Sequence, residues 1–237
     1  MVLFGAPRSG TSWLNQILHS HTQIQMYYQP LHSYSFQGTL YPDSSRKEID
    51  EFFNRMKSSD DDYINMRKGP ALARLGFEDK NDCRIVGFKE THFLDTVVNI
   101  VKKDPDTHLI VLRRHPLGVL ESWLNHSNEW NAYEKLEDIW KSGGQRNREP
   151  GNLFGIDSWL SILKAAEDMR QAGKSVTLIK YEEFVRETNT QSRRLLETIG
   201  LSLTPEVKRF VNAASTSEQK DNYGVGIPKE KEKRIPP

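Results

Sequence analysis

The chain has 237 residues, of which 27% are charged and 36% are hydrophobic, and its formal net charge is +1. This length fits one large domain or two small ones. The near-zero net charge excludes a global positive field that would attract nucleic acid, so any anion site must come from a local cluster. Cys83 is the only cysteine, which excludes an internal disulfide framework.

The sequence predicts a cytoplasmic protein without a membrane segment. No apolar run approaches the roughly 20 residues that a membrane-spanning helix needs. The first residues, Met1-Val2-Leu3-Phe4, lack the basic region and the cleavage pattern of a signal peptide. The alternative is a domain excised from a protein whose membrane anchor lies outside this chain.

Strands and helices alternate along the predicted secondary structure. The apolar spacing predicts, in chain order, strand 2–4, helix 11–19, strand 24–28, one helix within 38–62, strand 84–89, helix 94–102, strand 108–113, a helix from 116 to about 125, helix 156–172, strand 176–180 and helices near 182–186, 191–199 and 205–214. Residues 134–149 and the tail 215–237 are predicted as loops.

This alternation indicates a single α/β domain with a central parallel sheet that helices cover on both faces. Ligands bind such sheets at the carboxyl ends of the strands. Three segments are therefore expected to lie together on one rim, namely residues 5–11, 89–92 and 113–116.

The loop after the first strand has the residues of an anion site. It reads Gly5-Ala6-Pro7-Arg8-Ser9-Gly10-Thr11-Ser12-Trp13. A loop of small residues between a strand and a helix exposes backbone N–H groups beside the positive end of the helix dipole, which favours a phosphate or sulfate. Hydroxyl groups and a forked guanidinium add further donors. The structural alternative is an ordinary glycine turn with an exposed arginine.

The same loop departs from that of the nucleoside triphosphatases. Gly5 and Gly10 have the spacing of G-x-x-x-x-G-K-[ST], but Thr11 occupies the lysine position. The strand 108–113 ends in arginine instead of the aspartate that would hold magnesium. A small-molecule kinase that uses ATP and magnesium is therefore the less favoured alternative, and a non-catalytic nucleotide-binding domain is another.

Residues 7–13 resemble the 5′-phosphosulfate loop of the sulfotransferase family, P-[KR]-[ST]-G-[ST]-[ST]-x. The resemblance implies a P-loop-like fold, a sulfotransferase domain over 1–237 and 3′-phosphoadenosine-5′-phosphosulfate (PAPS) as co-substrate, without a metal. It implies that Arg8 is catalytic and neutralises charge on the bridging oxygen, and that Trp13 stacks on adenine, although its spacing fits a core aromatic equally well. The implied donor-binding residues of this loop, in the region 1–30, are Pro7, Arg8, Ser9, Gly10, Thr11, Ser12 and Trp13.

A second element, within residues 108–126, is similar to the family's 3′-phosphate site, R-[DN]-P followed by a serine eight positions after the arginine. Arg114 and Ser122 have that offset. His115 replaces the usual aspartate or asparagine, which predicts the loss of a side-chain cap on the following helix. Tyr181 opens a segment that resembles the family's Y-E-D-[LF] and implies an adenine contact. Two neighbouring anion sites suit a donor with separate 3′ and 5′ phosphates.

Transfer to a hydroxyl needs a base, and the candidates lie in Lys89-Glu90-Thr91-His92. Cytosolic sulfotransferases have K-x-H here with the histidine as base, and this chain has one more residue in between. A histidine exchanges protons near neutral pH, so we favour His92, with Glu90 as the alternative and Lys89 on the leaving phosphate. Strand alternation places Lys89 and Thr91 on one side and Glu90 and His92 on the other.

The acceptor is expected to be a small molecule or a carbohydrate. Residues 28–32 resemble the F-E-P-L stretch of Golgi carbohydrate sulfotransferases, but Gln29 replaces the glutamate and cannot act as a base. His32 is a secondary candidate for an acceptor contact, whereas His19 and His21 are interpreted as caps or surface residues. Residues 31–75 are expected to cover the acceptor, and Trp130 could line its pocket. The tail 215–237 has no counterpart of the family's R-K-G motif.

Overall fold

The computed structural model describes residues 1–66, 80, 83–125 and 135–214. The five strands of its sheet are β1 (Val2–Phe4), β2 (Ile24–Tyr28), β3 (Ile85–Glu90), β4 (Leu109–Arg113) and β5 (Val176–Lys180). The helices are α1 (Thr11–His19), α2 (Arg46–Lys57), α3 (Leu94–Lys103), α4 (Pro116–Leu124), α5 (Leu136–Ile139), α6 (Gly155–Gln171), α7 (Tyr181–Arg186), α8 (Thr188–Thr198) and α9 (Pro205–Ala214), with 3-10 turns at Pro30–His32 and Gly144–Arg148. Over these described ranges, each helix is too short or too polar to cross a bilayer.

The strands form one sheet in the order β2-β3-β1-β4-β5, and every pairing in it is parallel. β1 lies in the centre, where Leu3 pairs with Lys89 of β3 and with Ile110 of β4. This topology confirms the predicted parallel α/β domain. Because all five strands run the same way, the segments that follow them leave the sheet at one edge.

Helices cover both faces of the sheet, as the alternation of side chains along β1 shows. Leu3 packs into one core with α1, α7, α8 and α9, whereas Val2 and Phe4 pack into the other core with α2, α3 and α6. These three side chains are at most 1% exposed. Burial of each such side chain contributes about 1.5–3 kcal/mol, so the two cores hold β1 and the loop after it in place.

The start of α4 differs from the sequence prediction. His115 supplies the cap that was expected to be lost, because its ring Nδ1 accepts a hydrogen bond of 3.3 Å from the backbone N–H of Leu117. Pro116 occupies the first helical position, where its missing N–H has no cost. The backbone N–H of His115 donates in turn to Glu182 Oε1 at 2.8 Å. The histidine therefore fixes the turn between β4 and α4.

Residues 134–149 also differ from the prediction of a plain loop, because they contain α5 and the 3-10 turn Gly144–Arg148. Asn147 organises this segment. Its Nδ2 donates to the carbonyl oxygens of Ser142 and Phe154 at 2.6 and 2.8 Å, and its Oδ1 accepts from the Phe154 N–H at 2.9 Å. The charged composition hides these local contacts, which one amide side chain provides.

His19 and His21 are buried, each 2% exposed, so a surface position for them is wrong. Each ring accepts a backbone hydrogen bond through Nδ1, from Met26 at 3.2 Å and from Gln23 at 3.1 Å, respectively. Burial, helped by the charge of Lys80, lowers the pKa of His19 to about 3. The two rings therefore join the end of α1 to the start of β2 as neutral groups.

Candidate active site

The carboxyl ends of all five strands open onto one cleft of about 650 Å³. The three segments predicted to share a rim do so, because they follow the neighbouring strands β3, β1 and β4. Most of the candidate residues line this cleft. They are Pro7, Arg8, Gly10, Thr11, Ser12, Trp13, Lys89, His92, Arg114, Ser122 and Tyr181. Ser9 and Glu90 do not line it, and their exposure is 1% and 0%.

The loop between β1 and α1 has an unusual backbone. Arg8 has φ 69° and Gly10 has φ 95°, both in the left-handed region. Gly10 also has no room for a side chain, because a Cβ there would lie 2.6 Å from the Tyr181 ring. As the residue before α1, Gly10 offers no side-chain cap. The Trp13 and Leu14 N–H groups donate to the Gly10 carbonyl oxygen at 3.1 and 3.3 Å. The N–H groups of Thr11 and Ser12 come before these first backbone bonds and are therefore available to an anion in the cleft.

Ser9 lies under this loop instead of on its cleft side. Its Oγ has no hydrogen-bond partner among the described residues. A Cβ at Gly5 would come within 2.7 Å of the same oxygen, so the close approach of the serine requires glycine at position 5. An unpaired hydroxyl of this kind costs about 1–3 kcal/mol, which marks the loop as a place where a polar partner is missing.

Arg8 joins the two predicted anion elements. Its Nε donates to Ser122 Oγ on α4 at 3.3 Å, and its carbonyl oxygen accepts from Arg114 Nη1 at 3.1 Å. The Arg114 guanidinium also lies over the ring of Tyr181, 4.8 Å from the centroid. Two guanidinium groups therefore converge at one end of the cleft, in an arrangement suited to a ligand with more than one anionic group.

Lys89, which also lines the cleft, is a buried cation. Its side chain is held over the ring of Tyr28, with Nζ 4.4 Å from the centroid, and the residue is only 2% exposed. The charge of Lys89 lowers the pKa of the Tyr28 hydroxyl, against the opposing effect of burial. That hydroxyl lies 3.4 Å from Ser12 Oγ in the anion loop. Lys89 thus faces the loop across one tyrosine.

Strand alternation predicted that Glu90 and His92 lie on the same side of an extended strand, and this prediction is wrong. β3 ends at Glu90 and the chain then bends, which brings Thr91 and His92 to the cleft beside Lys89. Glu90 stays behind them, where its Oε1 accepts from the backbone N–H groups of Thr91 at 2.9 Å and His92 at 3.3 Å. The same oxygen lies 3.5 Å from His92 Nδ1. The carboxylate therefore holds the bend that presents His92.

The family profile for the sulfotransferase domain matches residues 1–235. The chain belongs to the sulfotransferase family. No curated protein matches it. Membership in this family disfavours the kinase alternative. The departures of the loop from the triphosphatase pattern point the same way.

Solved sulfotransferases share the fold. Mouse sulfotransferase SULT7A1 complexed with PAP is similar over 93% of this chain and 65% of its own, at 15% identity and a TM-score of 0.54. The sulfotransferase domain from the curacin biosynthetic pathway is similar over 87% of this chain and 76% of its own, at 15% identity and 0.53. Retinol dehydratase in complex with retinol and PAP is similar over 94% of this chain and 67% of its own, at 15% identity and a TM-score of 0.50. This chain therefore spans less than two thirds of the mouse protein.

Trp13 of this sulfotransferase lies between the core and the cleft. It is 3% exposed and packs edge-on against Phe184, with ring centroids 5.5 Å apart, which confirms the core interpretation. It also lines the cleft, as does Tyr181. Stacking of Trp13 on adenine stays a prediction.

A group of cleft residues has no counterpart in the sequence prediction. Gly151 anchors their segment to the start of α3, because its carbonyl oxygen accepts from the Phe93 N–H at 2.9 Å and its lack of a Cβ admits the Phe93 ring. The Pro150-Gly151 pair signals a turn in the sequence, but no local pattern tells that this turn returns to the cleft. The cleft residues of this segment are Arg146, Glu149, Asn152 and Phe154.

His32 also lines the cleft, where its ring stacks on His92 with centroids 4.9 Å apart and an interplanar angle of 18°. Burial, and then the neighbouring His92, lowers the pKa of His32. Some of the sequence interpretations fall outside the described residues. These are Trp130, the part of the acceptor-covering segment from 67 to 75, and the tail 215–237.

Proposed function

We propose that this sulfotransferase moves the sulfuryl group of PAPS to a hydroxyl or amine of a small-molecule or carbohydrate acceptor. The observation that carries the proposal is the contact between Arg8 and Ser122. It joins the loop after β1 to the helix after β4 across one cleft, so the sites proposed for the 5′-phosphosulfate and the 3′-phosphate lie within the reach of one nucleotide.

The residues of the cleft fit such a donor. The first N–H groups of α1 and the side chains of Arg8, Thr11 and Ser12 would hold the 5′-phosphosulfate, with Pro7 and Gly10 shaping the loop and Ser9 supporting it from below. Arg114 and Ser122 would hold the 3′-phosphate, and Trp13 and Tyr181 would border the adenine. Mouse SULT7A1 and retinol dehydratase were each solved with PAP, which agrees with this donor. Bound PAPS supplies the activated sulfuryl group.

In this proposal His92 accepts the proton of the acceptor hydroxyl, and Glu90 positions it. His92 lines the cleft, whereas Glu90 is fully buried and holds the backbone of the bend. Arg8 and Lys89 would stabilise the negative charge that develops on the departing phosphate, because both cations border the anion loop. Convergence of these groups in one cleft supplies the positioning that an in-line displacement needs.

The wall beside His92 supports a polar acceptor. His32, Glu149 and Asn152 line the cleft on this side, and each can form hydrogen bonds with hydroxyl groups. Retinol dehydratase, by contrast, was solved with retinol, which is mostly apolar. We propose a sugar or a polar metabolite over a steroid-like phenol for this chain, acting without a metal and in the cytoplasm.

Two measurements test the proposed function. Calorimetry should show that adenosine 3′,5′-bisphosphate binds without magnesium and more tightly than ATP, because only the former has separate phosphates for both elements. A screen with ³⁵S-labelled PAPS over sugars, polar amines and phenols should then give labelled product. Tight ATP binding that depends on magnesium, with no transfer to any acceptor, would replace the sulfotransferase proposal with a kinase.

A further inference from the structure

Gln29 lies at the end of β2 and contacts the proposed base through a network that uses its whole side chain. The residue is 7% exposed and has φ 42°, in the left-handed region. Its backbone N–H donates to the Lys89 carbonyl oxygen at 2.8 Å, and its own carbonyl oxygen accepts from His32 and Ser33, both at 3.1 Å. Gln29 is therefore tied by its backbone to β3 and to the turn that carries His32.

The Tyr63 hydroxyl decides the orientation of the Gln29 amide. The hydroxyl of Tyr63 donates a hydrogen bond of 3.1 Å to Gln29 Oε1. Burial raises the pKa of Tyr63 above its ordinary value, so the phenol keeps its proton. With the oxygen of the amide directed to Tyr63, its NH₂ group faces Thr91 Oγ1 at 2.8 Å and His92 Nδ1 at 3.3 Å.

An amide NH₂ group can only donate, so His92 Nδ1 can bond to it only through a lone pair. The Thr91 hydroxyl, 3.1 Å from the same nitrogen, completes the pattern. It accepts from Gln29, and its own proton can point to Nδ1 or away from it. The Gln29 amide therefore selects the neutral ring that carries its proton on Nε2, because the single Nδ1 lone pair then accepts from the NH₂ group. Glu90 Oε1, at 3.5 Å from Nδ1, can only accept and therefore favours a proton there, whereas the Thr91 hydroxyl can donate or accept.

We infer that Gln29 is a positioning residue that sets the tautomer of His92, keeping the proton on Nε2 in the absence of substrates. In this state the ring offers an N–H donor to the cleft. It can accept a proton at Nε2 only after the Nδ1–H form, directed to Glu90 or Thr91, is populated. The inference extends the proposed base role of His92, but the state of the ring without substrates can be measured independently of that role.

The test is the tautomer of His92 in ¹⁵N-histidine-labelled protein, read from long-range ¹H–¹⁵N spectra at pH 7.5. The signals are assigned by their loss in His92→Asn. We expect Nδ1 unprotonated and Nε2 protonated in the wild type. In Gln29→Glu, the carboxylate can accept from Nδ1–H, so the tautomer should switch. Tyr63→Phe removes the lock on the amide, whose oxygen can then turn to His92, so the Nδ1–H fraction should rise.

A wild-type ring already protonated on Nδ1, or a Gln29→Glu ring unchanged from wild type, overturns the inference. Because Gln29→Glu adds a charge near Glu90, Tyr63→Phe provides the neutral variant if the first does not fold. The acid limb of the pH–rate profile should move to higher pH in Gln29→Glu. A tautomer switch in a protein that transfers no sulfuryl group would keep the inference about Gln29 and remove the proposed function.

Discussion

Arg8 combines a strained backbone with a proposed catalytic charge. Its φ of 69° costs a residue with a Cβ roughly 1 kcal/mol relative to glycine. We therefore expect the free energy of unfolding to be about 1 kcal/mol larger for Arg8→Gly than for Arg8→Ala. Both variants lose the arginine side chain, but only glycine relieves the backbone strain. Urea denaturation of the two variants measures this difference.

The same pair of variants tests the role of the charge. In both, kcat should fall by about 10²–10³-fold, the usual effect of removing a group that stabilises transition-state charge. Arg8→Lys keeps the charge but loses the Nε–H bonded to Ser122. Its kcat should therefore lie between that of the wild type and those of the two variants. Full turnover in Arg8→Ala would contradict the catalytic assignment, whatever its stability.

Lys89 shows how one aromatic ring stabilises a buried cation. Its Nζ lies 4.4 Å from the Tyr28 centroid, and a desolvated cation–π contact is worth about 2 kcal/mol. Tyr28→Leu should therefore lower the free energy of unfolding by about 2 kcal/mol or more. Tyr28→Phe keeps the ring and should cost about 1 kcal/mol for the lost hydroxyl contacts. Equal losses in the two variants, by urea denaturation, would remove the ring face as the cause.

At the scale of elements, the anion loop depends on its packing against α7. Gly10→Ala would place a Cβ 2.6 Å from the Tyr181 ring in a residue with φ 95°, so strain and a clash add. Gly173→Ala is the matched control, since Gly173 has φ 74° and nothing within 4 Å of its Cβ position. We expect the control to lose about 1 kcal/mol of stability and Gly10→Ala to lose more.

Only the loop variant should also lose affinity for adenosine 3′,5′-bisphosphate, by about tenfold or more, since each 1.4 kcal/mol lost at the site is tenfold. Calorimetry on both variants measures this. If Gly173→Ala weakened the nucleotide as much as Gly10→Ala did, the effect would come from global stability and not from the loop.

The strands and the anion loop could be predicted from the sequence because both are local patterns. The apolar run of β4 and the small-residue loop after β1 each occupy a few consecutive residues. The bend after Glu90 was mispredicted because the alternation of side chains holds only while the strand stays extended. The cap by His115 was mispredicted because only aspartate or asparagine was expected to accept the N–H of the following helix, whereas the histidine ring does so. The segment with Arg146 and Glu149 is joined to the turn before α3 by the hydrogen bond from the Phe93 N–H to the Gly151 carbonyl oxygen, a contact over 58 positions that no local pattern encodes.

At the scale of the molecule, the strand order brings together residues that are far apart in the chain. Arg8 and Ser122 are 114 positions apart, and Gln29 and His92 are 63 apart. β1 lies between β3 and β4, so its loop meets both the proposed base and the proposed 3′-phosphate element. The site residues and the cytoplasmic location stay predictions, whereas the fold and the family are established.

The pH dependence of global stability should carry the signature of His19. Its pKa is about 3 in the folded protein, chiefly because of burial, and near 6.5 in the unfolded chain. Below pH 6.5 the unfolded state therefore binds a proton that the folded state does not. The stabilisation is complete above pH 6.5 and is lost as the pH falls toward 3, at up to about 1.4 kcal/mol per pH unit.

His19→Asn isolates this contribution, because the asparagine Oδ1 can still accept from the Met26 N–H while the titrating ring is gone. Between pH 6.5 and 5.5, the free energy of unfolding should fall by about 1 kcal/mol less in the variant than in the wild type. Urea denaturation at both pH values measures the two slopes, and the difference at pH 7.5 gives the packing cost of the smaller side chain. Since His21 also has a lowered pKa through burial, some slope should remain in His19→Asn. Parallel curves for the two proteins would show that folding does not lower the pKa of His19.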